Sequence, residues 1–167
     1  MLIYHPAFDA YHCVFRMLAI LEASPSIELD RARLLDFYLT FPSAISKIRL
    51  PNSLAHGRRL AKANGNAYRD PLNPRAVFRD MAQIQHAALR SIAALGIIDV
   101  KAYEQGVLQR AEEHVIPAEL TQRIAIYHDV KPEVFSFLVK DLASIPLHGI
   151  DGLKHRTELL EYRYDLP

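Results

Sequence analysis

Apolar residues return at helical spacing in several stretches of this chain. Across residues 9–22, Tyr11, Val14, Phe15, Leu18 and Leu21 share a face, and Met17 and Ile20 widen it. An apolar surface that broad predicts a buried helix, with Asp9 as its N-cap after Pro6. A second helix is expected over 30–41, capped by Asp30, turned inward through Leu34, Leu35, Tyr38 and Phe41, and stopped by Pro42. The best-defined element spans 74–95, with Pro74 at its first position and Gly96 just past its end. There Val77, Met81, Ile84, Ala88, Ile92 and Leu95 cluster within about 80° of one another, and Arg75, Arg79, Gln83, His86 and Arg90 line the opposite side. Two further helices are expected over 117–127 and 132–144, the latter with Val134, Phe135, Leu138 and Leu142 as its core face.

Between the second and third helices the pattern breaks. Residues 42–74 hold four prolines, two glycines and Asn64-Gly65-Asn66, which predicts an irregular segment with a short helix near 54–63. After Gly96 come two short β-prone runs, Ile97-Ile98-Asp99 and Tyr103 to Leu108, with a turn between them. A long helix, a glycine stop and two short strands is the order of a winged helix. The expected fold is therefore mainly α with a small β wing. It is a winged-helix-like single domain over 1–167, with about five helices and a short hairpin. An irregular basic segment at 43–74 and a C-terminal tail at 149–167 complete it, and the alternating end of the tail, Leu159 to Tyr164, predicts an edge strand.

Composition sharpens this reading. Half of the 167 residues are apolar or aromatic and 23% are charged, which excludes a mainly disordered chain. The single Cys13 rules out an internal disulfide and a Cys-pair metal knuckle. No run of apolar residues is long enough to span a bilayer, and the start lacks the basic and apolar regions of a signal peptide. The expected location is the cytoplasm, with no membrane partner.

Net charge is +1, which argues against a chain that is basic throughout. The charge is nevertheless uneven. Residues 43–80 carry Lys47, Arg49, Arg58, Arg59, Lys62, Arg69, Arg75 and Arg79 against Asp70 and Asp80, a net of +6, so the remainder carries −5. Clustered cations are what phosphate neutralisation requires, and Gln83 and Arg90 on the outer face of the long helix can reach base edges. DNA-binding candidates are these eight cations and Arg90. Docking of an acidic protein partner accounts for the same cluster equally well.

Other chemistry finds less support. His5, Asp9 and His12 are spaced 4 and 3 apart with Cys13 adjacent, but Pro6 places His5 ahead of the helix, so polar caps at a helix start explain the group better than a metal does. Ser43, Ser46 and Ser53 have no nucleophile elbow around them, and Glu112-Glu113 reads as a solvated face. Gly149-x-x-Gly152-Leu-Lys154 does not satisfy a phosphate loop. An anion nest there competes with a plain turn followed by an exposed basic strand. No enzymatic activity, cofactor, metal or small-molecule substrate is expected.

Three stretches carry a family resemblance. Leu2-Ile-Tyr4-His5-Pro6-Ala-Phe8-Asp9-x-Tyr11-His12-x-x-Phe15-Arg16, Arg33-Leu34-Leu35-Asp36-Phe37-Tyr38-Leu39-x-Phe41-Pro42 and Gly149-x-x-Gly152-Leu-Lys154-x-Arg156-Thr157 resemble the middle-component proteins of bacterial three-component ABC-ATPase conflict systems. These are related to Lamassu-type anti-phage systems. The resemblance implies a non-catalytic, winged-helix-like subunit partnered by an SMC-like ABC ATPase and by an effector such as a nuclease, with DNA as a further partner. It offers no catalytic residues to carry over. Tyr4, His5, Phe8, His12, Lys154 and Arg156, in the first and last stretches, are the partner-binding candidates. Their expected task is to fasten the two ends of the chain together or to the ATPase. A free-standing winged-helix transcription regulator is the alternative reading.

Overall fold

Asp9 opens the first helix of the computed structural model, which describes residues 5–161. Its carboxylate accepts hydrogen bonds from the Tyr11 and His12 amides at 2.8 and 3.3 Å. Two of the amides that a helix start leaves without partners are thereby satisfied. Helix α1, Ala10–Ala23, is buried all round from Phe15 to Leu21, as its broad apolar surface requires. It is the central helix, and α2 (Leu29–Thr40), α4 (Pro74–Ala94) and α6 (Ala118–Asp129) all pack on it.

The start of α2 differs from expectation. Asp30 lies within its first turn and Glu28 occupies the N-cap with no side-chain bond. The start is set instead by tertiary contact, because the Leu29 amide donates to the Gly106 carbonyl at 2.8 Å. Pro42 ends the helix and begins a 3-10 turn, Pro42–Lys47, after which α3, Gly57–Ala63, forms within the basic segment. Long helix α4 is capped by Asn73, which accepts from the Ala76 amide at 3.1 Å, and it closes on Gly96 at φ +76°.

The inward face of α4 is rotated by about half of the 100° step between residues from the predicted stripe. Phe78, Met81, Gln85, Ala88, Leu89 and Ile92 are buried, Val77 and Ile84 are half-buried, and Leu95 is exposed. Packing against both α1 and α2 explains the rotation. Phe78 meets Phe37 of α2 edge-to-face at 5.7 Å, and Gln85 finds polar partners inside.

The sheet is small and antiparallel. Strand β1, Ser26–Glu28, pairs with β2, Val107–Gln109, so that Ile27 faces Leu108. The expected hairpin pairing is present only as a bridge between Ile98 and Arg110, and helix α5, Val100–Glu104, fills the connection. The main partner of β2 is thus a strand ahead of α2 that sequence reasoning did not predict, since three residues after Pro25 are too short to show alternation.

The predicted helix over 132–144 is built in three windings: α7 (Pro132–Ser136), a π turn (Phe137–Asp141) and a 3-10 turn (Leu142–Ser144). Its expected core residues Val134, Phe135, Leu138 and Leu142 are buried, together with Phe137. Arg31 takes the carbonyls at its end, donating from Nη1 to Ala143 and Ile145 at 2.6 Å each, and Glu28 holds Arg31 at 2.7 Å. The expected basic strand after Gly152 is a helix instead, α8 (Leu153–Thr157). Residues 159–161 form no strand, and the rest of the predicted edge strand lies outside the described residues. Among the described residues no helix is long and apolar enough to cross a membrane.

Candidate functional site

Charged and polar side chains gather in two places, one buried and one exposed. The buried group joins α1, α2 and α4. Arg16 Nε donates to Asp36 Oδ1 at 2.6 Å, and Arg16 Nη1 donates to the Pro6 carbonyl at 3.1 Å. Gln85 Nε2 donates to Asp36 Oδ2 at 2.9 Å and to the Arg33 carbonyl at 3.1 Å, while Arg33 Nε donates to Gln85 Oε1 at 2.9 Å. Arg33 also lies over the Phe78 ring, 4.9 Å from its centroid. Asp36 and Gln85 have no exposed surface. A buried charge pair is tolerated only when its remaining hydrogen-bonding capacity is also satisfied, and here it is.

This setting tunes the neighbours. Burial works to depress the Arg16 guanidinium, but the charge and hydrogen bond of Asp36 outweigh it and hold the group above its ordinary value. Burial, reinforced by Asp36, pushes the Cys13 thiol well up. Cys13 is therefore a neutral, inert core side chain rather than a nucleophile or metal ligand. Sequence reasoning met Arg16 and Asp36 only as letters of motifs and passed over Gln85. The signal was a polar residue set inside an otherwise apolar face on each of three helices.

The exposed group lies in the basic segment. Arg58, Arg59 and Lys62 share the outer face of α3 at helical spacing, while Gly57 and Ala61 turn inward. Lys47 is exposed at the end of the preceding 3-10 turn, and Arg69 is exposed in the turn that follows α3. Among the described residues none of these five cations has an ion-pair partner, nor does Arg90 on α4. The other three predicted DNA contacts are engaged within the chain. Arg49 pairs with Glu158 at 2.9 Å and donates to the His155 carbonyl, Arg75 donates to the Glu158 carbonyl at 2.9 Å, and Arg79 pairs with Asp80 at 3.4 Å.

Among the described residues the opening motif packs at the C-terminal end of α2 and the closing motif at its N-terminal end. His5 Nδ1 accepts from the Ala7 amide at 3.2 Å, and its ring packs on Phe8 and Phe41 at the C-terminal end of α2. Phe8 remains nearly half-exposed, and His12 Nδ1 is 2.5 Å from the Tyr127 hydroxyl. Tyr4 lies outside the described residues. The closing motif sits at the other end of α2, where Lys154 pairs with Asp30 at 3.3 Å. Arg156 donates to the Asp151 and Arg49 carbonyls at 2.6 Å each. A glycine is needed at 152 because a Cβ there would stand 2.3 Å from the His148 carbonyl oxygen. The amides of Gly152, Leu153 and Lys154 all donate to chain carbonyls, which overturns the anion-nest alternative. Among the described residues no group of three His, Cys, Asp or Glu is placed to hold a metal ion.

The three resembling stretches thus converge on α2, two of them through the buried polar group and the third through Asp30. The family described as ABC-three component (ABC-3C) system Middle Component 5 matches residues 2–165, and the chain belongs to that family. It is the middle component of a multi-part ABC system, which implies partner subunits. No curated protein and no solved structure matches the chain.

Proposed function

We propose that this chain is a non-catalytic, cytoplasmic adaptor of an anti-phage complex, seated between an SMC-like ABC ATPase and an effector such as a nuclease. In this reading the domain is winged-helix-like, and the outer face of α3 touches DNA held by the complex. Family membership supports the adaptor role. The DNA contact is carried by one observation: Arg58, Arg59 and Lys62 project together from one helix with no ion-pair partner among the described residues. Cations without an ion-pair partner among the described residues, beside the paired Arg49 and Arg75, form a surface that gains by neutralising phosphates.

A free-standing winged-helix regulator is the second reading. It draws on the pairing of β1 with β2 after the long helix, and on exposed Gln83 and Arg90 along α4. Co-purification from the native operon separates the two. The adaptor reading expects an ABC ATPase in stoichiometric amount, whereas a lone dimer that shifts a specific promoter would sink it. Within the complex, Arg58→Glu with Arg59→Glu is expected to weaken DNA binding. Unchanged binding would make the α3 surface a protein interface.

A further inference from the structure

The start of α1, the end of α2 and the connection from α6 to α7 enclose a cavity of about 190 Å³ whose lining is mostly apolar. Pro6, Leu39, Phe41 and Val130 form its walls. Among the described residues its charged and titratable lining is entirely basic or phenolic: His5, His12, Arg16, Arg69, Lys131 and Tyr127 border it, and no carboxylate does. Arg16 is committed to Asp36 and to the Pro6 carbonyl. Arg69 and Lys131 have no ion-pair partner among the described residues. The mouth is greasy as well, with Val130 68% and nearby Phe8 46% exposed.

These features select one kind of occupant. The volume falls below the roughly 300–1,000 Å³ of small-molecule sites but suits one large side chain. An apolar floor with cations beside it fits an apolar anchor next to an acid, the pattern of a protein hot spot ringed by complementary charge. We propose that this cavity receives an acidic–apolar segment of a partner subunit. Its bulky side chain packs on Leu39, Phe41 and Val130, and its carboxylate meets Arg69 and Lys131. The inference rests on the adaptor reading for the existence of such a partner, and it makes the His5–His12 stretch part of a docking pocket.

The test measures binding of the wild-type chain and of the Arg69→Glu/Lys131→Glu variant to the purified co-encoded ABC ATPase and effector. Neither residue has an ion-pair partner among the described residues, so the variant is expected to melt with the wild type. It should lose affinity for one of the two subunits by on the order of tenfold, and Val130→Asp should do the same. A glutamate-to-lysine change in the captured segment should restore binding to the double variant only. Undiminished affinity in both variants would overturn the pocket while leaving the adaptor reading intact, and so would a loss confined to DNA binding. Failure of the wild-type chain to bind either subunit would overturn both.

Discussion

The buried polar group around Asp36 and the outer face of α3 are both rich in arginine, and they are opposite in every other respect. Arg16 is inaccessible, bonded to a carboxylate and a carbonyl, and shared among three elements. Arg58 and Arg59 are exposed and have no ion-pair partner among the described residues. A charge inside a protein is strongly coupled to the fold, because removing one partner strands the other in a low-dielectric setting. A charge on the surface contributes little to stability and much to association. Pro6, Arg16, Arg33 and Asp36, all within the stretches of the family resemblance, fall on the first side of this divide. They hold the fold together, and the surface cations carry the proposed DNA contact.

Substitutions can break this contrast, and the largest effect is expected in the buried group. Asp36→Ala removes the acceptor of Arg16 and Gln85. It should cost on the order of 3–5 kcal/mol, read as a fall of about ten degrees or more in Tm. Next is Gly57→Ala, at the point where α3 presses on the core. A Cβ there would stand 2.5 Å from Phe137 Cζ and 2.9 Å from Leu50 Cδ1, a clash that costs about 1–3 kcal/mol in chemical denaturation. Adding Phe137→Leu should relieve part of that loss, a coupling that would place the inner face of α3 firmly in the structure. Asp9→Ala removes an N-cap and should cost about 1 kcal/mol.

A smaller effect concerns pH. The hydrogen bond from Arg31 holds the Glu28 carboxyl below its ordinary value of 4.5, against a smaller opposing effect of burial. A carboxylate with a depressed folded-state value stabilises the fold at pH above the ordinary value, and the contribution fades as pH falls through the depressed one. Glu28→Gln should therefore be less stable than wild type near neutrality. The two proteins should converge as acid titrations pass below the depressed value of the Glu28 carboxyl.

How much of this was legible in the sequence depended on whether local or tertiary forces set each feature. Asp9 as a cap, α1 as a buried helix and the Pro74 and Gly96 limits of α4 follow from neighbouring residues alone, and they stand as read. The start of α2 is fixed by Gly106, more than seventy residues away, so Asp30 misled. The α4 face was predicted on the assumption that an inward residue is apolar, and Gln85 breaks that assumption because its amide is fully used. Segment charge was legible as a sum of +6, but its partition was not. Only the structure shows that Arg49 and Arg75 are taken up by Glu158 and the chain around it, whereas Arg58, Arg59 and Lys62 are not.

The salt dependence of DNA binding by the assembled complex is the most direct measure of the central claim. Each phosphate neutralised contributes about 0.9 to the slope of log affinity against log salt. A complex built with Arg58→Glu/Arg59→Glu should bind more weakly at low salt with a slope shallower by about two, while the isolated variant melts with the wild type. An unchanged slope with the Tm also unchanged would contradict the account, assigning the α3 surface to a protein partner and leaving this chain off the DNA.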